Sequence, residues 1–412
     1  MVRCMLGALR HRHFALLWAG QSLSAVGNRM FPVILALVVL DRHSGAAALG
    51  VVLAVQSVAL VVGTLLAAAV TDRLPRRAIM LWTDLARALA VAALAFTPDT
   101  ALVGLVIVIA VAEGLFQPAY AAVIPRTLPA GCLQAGNSLT SFSQYTALVI
   151  GPSLAGAVIA TAGTTAALWV DVGTFAMSLA TLAFVRESQA EAATKPPPWS
   201  LRQTALDLGE GFQAVRRRPW LGASMVASML VMSITVAPMM LIAPLATDSP
   251  QAYGAAFTAL GVGSILGALL AARLRTRRPG ATAVIGIVLV AGAPLSLAAL
   301  PLPGVLLLWG TAGAGITIFE VLWTTAVQRD VPDEVLGRVM ALDWLGSESL
   351  TPIGYLLAGL AVARFGTDLL LLVGACIAAL AAPLPLFVRG GCTFSSPACG
   401  PTAGGATSRP PG

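Results

Sequence analysis

Polar residues break this chain into a series of apolar runs, each long enough to matter. The runs cover 14–40, 46–70, 78–97, 101–124, 138–162, 165–185, 220–246, 252–274, 281–300, 302–327, 340–364 and 368–388. A hydrocarbon core of about 30 Å is crossed by about 20 helical residues. The runs are continuously apolar and show no ten-residue alternation, so they predict helices and not the strands of a barrel. The pattern also repeats. Phe116, Arg126, Pro129, Leu133, Gly156, Gly163 and Thr164 recur 203 positions later as Phe319, Arg329, Pro332, Leu336, Gly359, Gly366 and Thr367. Gly50, Gly63, Leu65, Leu66, Arg73 and Pro75 recur 204 positions later as Gly254, Gly267, Leu269, Leu270, Arg277 and Pro279. Six runs per copy, in the same order, predict two parallel repeats related by an axis along the membrane normal. The fold class is therefore an all-α membrane protein of twelve transmembrane helices in two pseudo-symmetric six-helix bundles. That architecture encloses a path for a small molecule where the halves meet.

Composition sharpens this. The 412 residues are 58% hydrophobic and 10% charged, against about 25% charged in ordinary soluble domains, and the mean hydropathy is +0.86. The net charge of +7 raises the possibility of a nucleic-acid partner, but its distribution excludes it. Under the twelve-helix topology 21 of the 25 Lys and Arg lie on the side of the two termini, among them Arg76, Arg77, Arg126, Arg216, Arg217, Arg218 and Arg277. Only Arg42 and Arg364 lie on the other side, and Arg29 and Arg87 lie inside helices. By the positive-inside rule both termini are expected in the cytoplasm of a cell whose plasma or inner membrane holds the protein. No cleavable signal is read at the N-terminus, where the first run is too long for a signal-peptide core. The five cysteines fall in membrane or cytoplasmic positions, so no disulfide is expected. The three histidines do not cluster, no Gly-x-x-x-x-Gly-Lys-Ser/Thr loop is present, and no enzyme, metal or cofactor is read from the chain.

The domains follow from the runs: an N-terminal six-helix bundle over 1–186, a cytoplasmic linker over 187–219, a C-terminal bundle over 220–389 and a disordered cytoplasmic tail over 390–412. Within the linker Lys195-Pro196-Pro197-Pro198 is a stiff break. From Leu201 to Arg218 the pattern is amphipathic, with Leu201, Leu208, Phe212 and Val215 able to share one face. Such a helix would lie along the membrane surface; a plain linker is the alternative.

Short motifs carry more specific information. Asp72-Arg73-Leu74-Pro75-Arg76-Arg77 forms a charged turn between the second and third helices. There a carboxylate favours a helix N-terminus and guanidiniums satisfy C-terminal carbonyls or acids. In the fifth helix Gly151-Pro152-Ser153-Leu154-Ala155-Gly156 combines a kinking proline with small residues that permit close contact. Gly263 and Gly267 form a small face on the eighth. The first motif resembles the signature loop of the major facilitator superfamily, departing from it at Ala68 and Pro75, and with Thr276 in place of the Asp in the second copy. The second resembles the fifth-helix Gly-Pro motif of that family's drug–proton antiporters, with Ala147 and Ala157 where glycines are usual. Further phrases, Gly20-Gln21-Ser22-Leu23-Ser24, Gly27-Asn28, Asp84-x-x-Arg87, Asp171-x-x-x-Phe175 and Glu210-Gly211-Phe212, resemble the enterobactin-exporter and macrolide-efflux branch. The resemblance covers nearly 1–389. It implies two bundles that alternate access, with helices 5 and 8 facing each other between the halves.

Ionisable groups inside a membrane are costly and mark function. Glu113 is the deepest acid, midway along the fourth helix, and Glu320 and Glu348 lie inside the tenth and eleventh. Asn28 and Arg29 interrupt the first helix, and Arg29 is expected to line the cavity and hold either Glu113 or an anionic cargo group. Asp84 and Arg87, three apart, share a helix face and can pair, as an internal clamp near the cytoplasmic gate or as part of the transport machinery. Asp72 at the end of helix 2, the amides at the start of helix 11, and Asp343 opposite Arg73 or Arg76 are expected to join the halves at the cytoplasmic gate. The reading is a monomeric secondary transporter in the lipid bilayer that exports a small, partly hydrophobic compound in exchange for protons. An uncoupled facilitator, favoured by Asn28 where antiporters of this branch often carry an acid, and a non-transporting membrane sensor are the alternatives.

Overall fold

The computed structural model describes residues 8–43, 45–70, 74–96, 99–129, 132–185, 201–274 and 276–395. These residues form helices and connecting turns, with no strand among them. The helices are α1 (Arg12–His43), α2 (Ala46–Val70), α3 (Arg76–Leu94), α4 (Asp99–Thr127), α5 (133–162) and α6 (164–184). A linker helix (Leu201–Arg216) leads to α7, which runs from Pro219–Val231 through one π turn, Met232–Val236, into Ala237–Ala246. Then follow α8 (Pro250–Arg273), α9 (Pro279–Leu289 continued by Gly292–Ala299), α10 (Leu302–Asp330), α11 (Asp333–Ser349 continued by Thr351–Phe365) and α12 (Thr367–Ala381).

Nine helices among the described residues are long and apolar enough to cross a membrane. One of them, Leu139–Phe184, holds two spans, because the chain reverses at Gly163. The other two of the twelve fall short for separate reasons. Asp84 and Arg87 lower the hydropathy of α3, and α11 is interrupted at Leu350, just before Thr351-Pro352. The repeat is visible in the backbone. Gly163 has φ 85° and ψ 172°, and Gly366, its partner in the second copy, has φ 81° and ψ 171°. This region is open to glycine alone, so each copy uses the same residue to end one span and start the next.

Within each half α1 packs on α5 and α6, α2 on α4, and α8 on α10. The halves meet along α2 with α11 and α5 with α8. At these two seams the repeat-related glycines touch each other. A Cβ on Gly50 would lie 2.6 Å from the Tyr355 carbonyl oxygen and 3.0 Å from Gly359 Cα. In the other seam a Cβ on Gly156 would lie 2.5 Å from the Pro250 carbonyl oxygen, while Gly254 faces the Pro152 carbonyl and Gly156 Cα. Gly50 corresponds to Gly254 and Gly156 to Gly359, so one contact is the two-fold image of the other. All four glycines sit toward the membrane side opposite the termini. Ser153 Oγ and Thr258 Oγ1, 2.5 Å apart, and the Thr258 Oγ1 bond to the Val149 carbonyl (2.9 Å) extend the α5–α8 seam inward.

One packing expectation is corrected. Gly263 and Gly267 do not face α5. They lie against Gly310 and Ala314 of α10, within the same half, where a Cβ on Gly267 would come 2.5 Å from the Ala314 carbonyl oxygen. The side of α8 that meets α5 carries Gly254, Thr258 and Gly261 instead, so the seam helix presents two small faces, one for each neighbour.

The linker helix forms as anticipated and docks on the start of α11. Gly211 lies against Arg338 and Leu342, and Glu210 pairs with Arg338. Val215 is buried in this contact while Phe212 is exposed, so these two do not turn the same way; the side chains of Leu201 and Leu208 lie outside the described residues. The stretch 390–395, expected to be disordered, is packed. Phe394 is fully buried, stacked 5.2 Å from Trp220 and edge-on at 5.9 Å to Trp323, and its carbonyl accepts from Arg329 (3.4 Å). Burying an aromatic ring against two indoles outweighs the Gly- and Ser-rich character of its neighbours. Residues 396–412 lie outside the described residues.

Candidate transport site

Among the described residues the fully buried charged side chains lie in the N-terminal half. Arg87 of α3 forms an ion pair with Asp84 one turn before it, and both are almost fully buried, at 1% and 0% exposure. Neither charge could stand alone there, and the surroundings supply the remaining partners. Ser178 of α6 donates to Asp84 Oδ2 (2.5 Å), Gln21 of α1 donates to Ser178 Oγ (2.7 Å), and Arg87 donates to Asn28 Oδ1 (3.3 Å). The guanidinium also lies 4.5 Å from the Phe116 ring centre and 4.8 Å from that of Phe175, a cation held between two aromatic rings. Four helices are thereby tied through one guanidinium. The pair lies midway along α3.

Asp171 of α6 joins this cluster. It is fully buried, its Oδ1 accepts from Thr174 Oγ1 (3.4 Å), and that oxygen faces the missing Cβ of Gly27. Arg87 and Glu113 both act on it electrostatically. In the sequence Asp171 belonged only to a phrase shared with a branch of relatives; a lone acid in an apolar helix is the signal that could have singled it out. The C-terminal half has no counterpart, since the repeat puts Val288, Ala291 and Gly374 at the positions of Asp84, Arg87 and Asp171.

Arg29 and Glu113 are near one another. Arg29 is mid-helix in α1, and Glu113 is half-buried on α4 and lies within electrostatic range of it. No ion pair within 4.0 Å joins them, so neither charge consumes the other. Arg29 keeps exposed surface although its Cβ packs beside Gly151 of α5, where an added Cβ would come within 2.6 Å. Glu320 of α10 is exposed and is the repeat partner of Gln117, also exposed, on α4. The side chain of Glu348 lies outside the described residues.

The gate residues are distributed differently from expectation. Asp72 and Arg73 lie outside the described residues. Arg77 donates to the carbonyls of Leu182 (2.8 Å) and Ala183 (2.5 Å), closing the C-terminal end of α6 within its own half. Arg76 Nε is buried without a hydrogen-bond partner. Asp343, expected to face Arg73 or Arg76, instead accepts from the Trp323 indole at 3.1 Å. Through this bond Asp343 ties α11 to α10. The bonds from Arg77 to the end of α6 and from Trp323 to Asp343 each lie within one half.

Two apolar hollows lie elsewhere. One of about 420 Å³ is lined by aliphatic side chains of α2, α4 and α11, including Val58, Val62, Ile107, Ile353 and Leu356. Its two-fold image, of about 380 Å³, lies between α8 and α10. Neither has a charged lining residue, so neither can handle a proton or an ionic group.

A two-fold pair of six-helix bundles, with charges buried in one of them and seams of small residues between, defines a polytopic membrane transporter. The chain belongs to the major facilitator superfamily, whose family model, described as Major Facilitator Superfamily, matches residues 17–350. It is 29% identical over 366 residues to the multidrug efflux pump Tap of Mycolicibacterium fortuitum, covering 84% of this chain and 87% of that one. It is 27% identical over 359 residues to the protein of the same name in Mycobacterium tuberculosis, covering 82% and 84%. Among solved structures it is similar to the nucleoside transporter NupG, with a TM-score of 0.73 at 12% identity over 91% of this chain and 99% of that one. At that identity the likeness concerns the fold.

Proposed function

We propose that the protein exports small, partly hydrophobic compounds from the cytoplasm across the cell membrane, in exchange for protons, by alternating access between its two halves. The observation that carries this reading is the unpaired opposition of Arg29 and Glu113 on α1 and α4. A carboxyl that is not locked in an ion pair can take up and release a proton. Protonated, it crosses the cycle without a buried charge; ionised, it attracts cationic cargo or shares Arg29 with an anionic one. Kinship over more than four-fifths of the chain with proteins named multidrug efflux pumps supports export of drug-like cargo. The excess of Arg on the side of the termini supports a cytoplasmic location for both ends.

Glu113→Gln keeps the shape of the side chain and removes its titration. In proteoliposomes with ethidium as probe, an imposed pH gradient is expected to drive efflux by the native protein and not by the variant. Equal gradient-driven flux in both would remove Glu113 from the mechanism. Flux that ignores pH in the native protein would make it a facilitator.

A further inference from the structure

Two buried polar atoms of the N-terminal cluster have no hydrogen-bond partner: Arg87 Nε, a donor, and Asp171 Oδ2, an acceptor. They belong to groups that interact electrostatically, at 1% and 0% exposure. An orphan buried atom on a charged group is expensive, because nothing replaces the water it has lost. Here the cost is concentrated on one oxygen. Asp84 has two donors, Arg87 and Ser178, whereas Asp171 has one weak contact from Thr174 at 3.4 Å. One guanidinium therefore serves two carboxyl groups and its hydrogen bonds go to Asp84. The groups acting on Asp171 complete the balance: Arg87 from α3, Glu113 from α4 and Thr174 one turn on in α6, with Gly27 of α1 packed against Oδ1. With Arg87 matched by Asp84, a second negative charge at Asp171 has no cation of its own.

We propose that Asp171 is a second proton-carrying acid of the transport cycle, and that its proton decides whether Arg87 stays on Asp84 or is shared with Asp171. With the proton on, Asp171 is neutral and Arg87 rests on Asp84, the arrangement seen here with the end away from the termini closed. With the proton released to water, the new carboxylate draws the free Nε of Arg87, and the bond from Arg87 to Asn28 loosens. Asn28 is next to Arg29 on α1, so the change reaches the cavity through that helix. The atoms balance simply: one O–H bond breaks, its electron pair stays on the Asp171 carboxylate, the proton leaves to the aqueous compartment, and the Arg87 cation is then shared between the two carboxylates. The proposal rests on the proton-coupled reading above, yet it is tested apart from it.

The test uses difference infrared spectra of the full-length protein in detergent during a pH titration, which read the carbonyl stretch of a protonated carboxyl without needing a cargo. The native protein is expected to show a titrating band that Asp171→Asn loses and Glu113→Gln keeps. In ethidium-loaded proteoliposomes Asp171→Asn is expected to lose pH-gradient-driven efflux while still letting the dye equilibrate downhill, a split that a merely structural role would not produce. Should Asp171→Asn fail to fold, Asp171→Glu must move the band and retain coupled efflux. A band unmoved by either variant overturns the proposal even if Glu113 proves essential. Spectra in which every titrating carboxyl band is lost in Glu113→Gln and none is lost in Asp171→Asn overturn it as well, while upholding the first reading.

Discussion

Side chains in this protein differ in worth according to where water can reach them. Arg87–Asp84 and Arg338–Glu210 are both ion pairs, but the first is sealed in the bundle and the second has 33% and 58% of its side chains exposed. Removing one partner of a buried pair leaves an uncompensated charge and costs about 3–5 kcal/mol, whereas an exposed pair contributes less than about 1 kcal/mol. Asp84→Ala is therefore expected to lower the midpoint of thermal unfolding in detergent sharply, and Glu210→Ala to leave it nearly unchanged. Arg29 is governed by a different consideration. If it meets an anionic or carboxyl group through its planar fork, Arg29→Lys keeps the charge and loses the bidentate geometry. Transport by the Lys variant is expected to weaken with a raised half-saturating dye concentration; transport equal to native would mean that charge alone suffices. Of these residues the sequence singled out Arg29, Glu113, Asp84 and Arg87, because a charge inside an apolar run is conspicuous. It also read Asp84 and Arg87, three apart on one face, as able to pair; it could not say that Ser178, Asn28, Phe116 and Phe175 complete that pair, nor that Asp343 belongs to Trp323, since partners 20 or more positions apart are chosen by packing.

Glycine shows the same division among whole helices. Gly163 and Gly366 hold positive φ where one span ends and the next begins, and a side chain in that region costs about 1–3 kcal/mol. Gly163→Ala and Gly366→Ala are each expected to lower the unfolding midpoint by similar amounts, as the two-fold repeat requires, although an added Cβ meets no neighbour within 4 Å at either place. Unequal losses would show that the two turns are not equivalent. The repeat of Gly-Thr was legible in the chain, and so was the end of each run. The destination of Gly263 and Gly267 was not. A glycine pair announces a close helix contact, but α8 has close neighbours on two sides, and only the assembled bundle assigns this face to α10 and the Gly254 face to α5.

At the scale of the molecule the two glycine seams decide how the halves close. A side chain at Gly254 would meet the Pro152 carbonyl across the interface, and such overpacking costs about 1–3 kcal/mol. Gly254→Val is expected to part α5 and α8 at the end away from the termini, lengthening the distance between spin labels at Ala160 and Asp248. Gly173→Ala, where an added Cβ meets nothing within 4 Å, is the control that should leave it unchanged. A distance unaltered by Gly254→Val would mean that the seam is not a closing surface. The sequence by itself determined the membrane class, the twelve spans and the two-fold plan, because hydropathy and repetition are properties of the chain read in order. It determined the sidedness expected of the termini for the same reason, since Arg is counted loop by loop. Only the tertiary structure decided that the fully buried charges among the described residues gather in one half, that Asp171 lies within electrostatic range of Arg87, and that Phe394 folds back against Trp220 and Trp323. Those outcomes depend on which helix faces meet, and a low-dielectric interior makes each such meeting of charges or rings either strongly favourable or prohibitive.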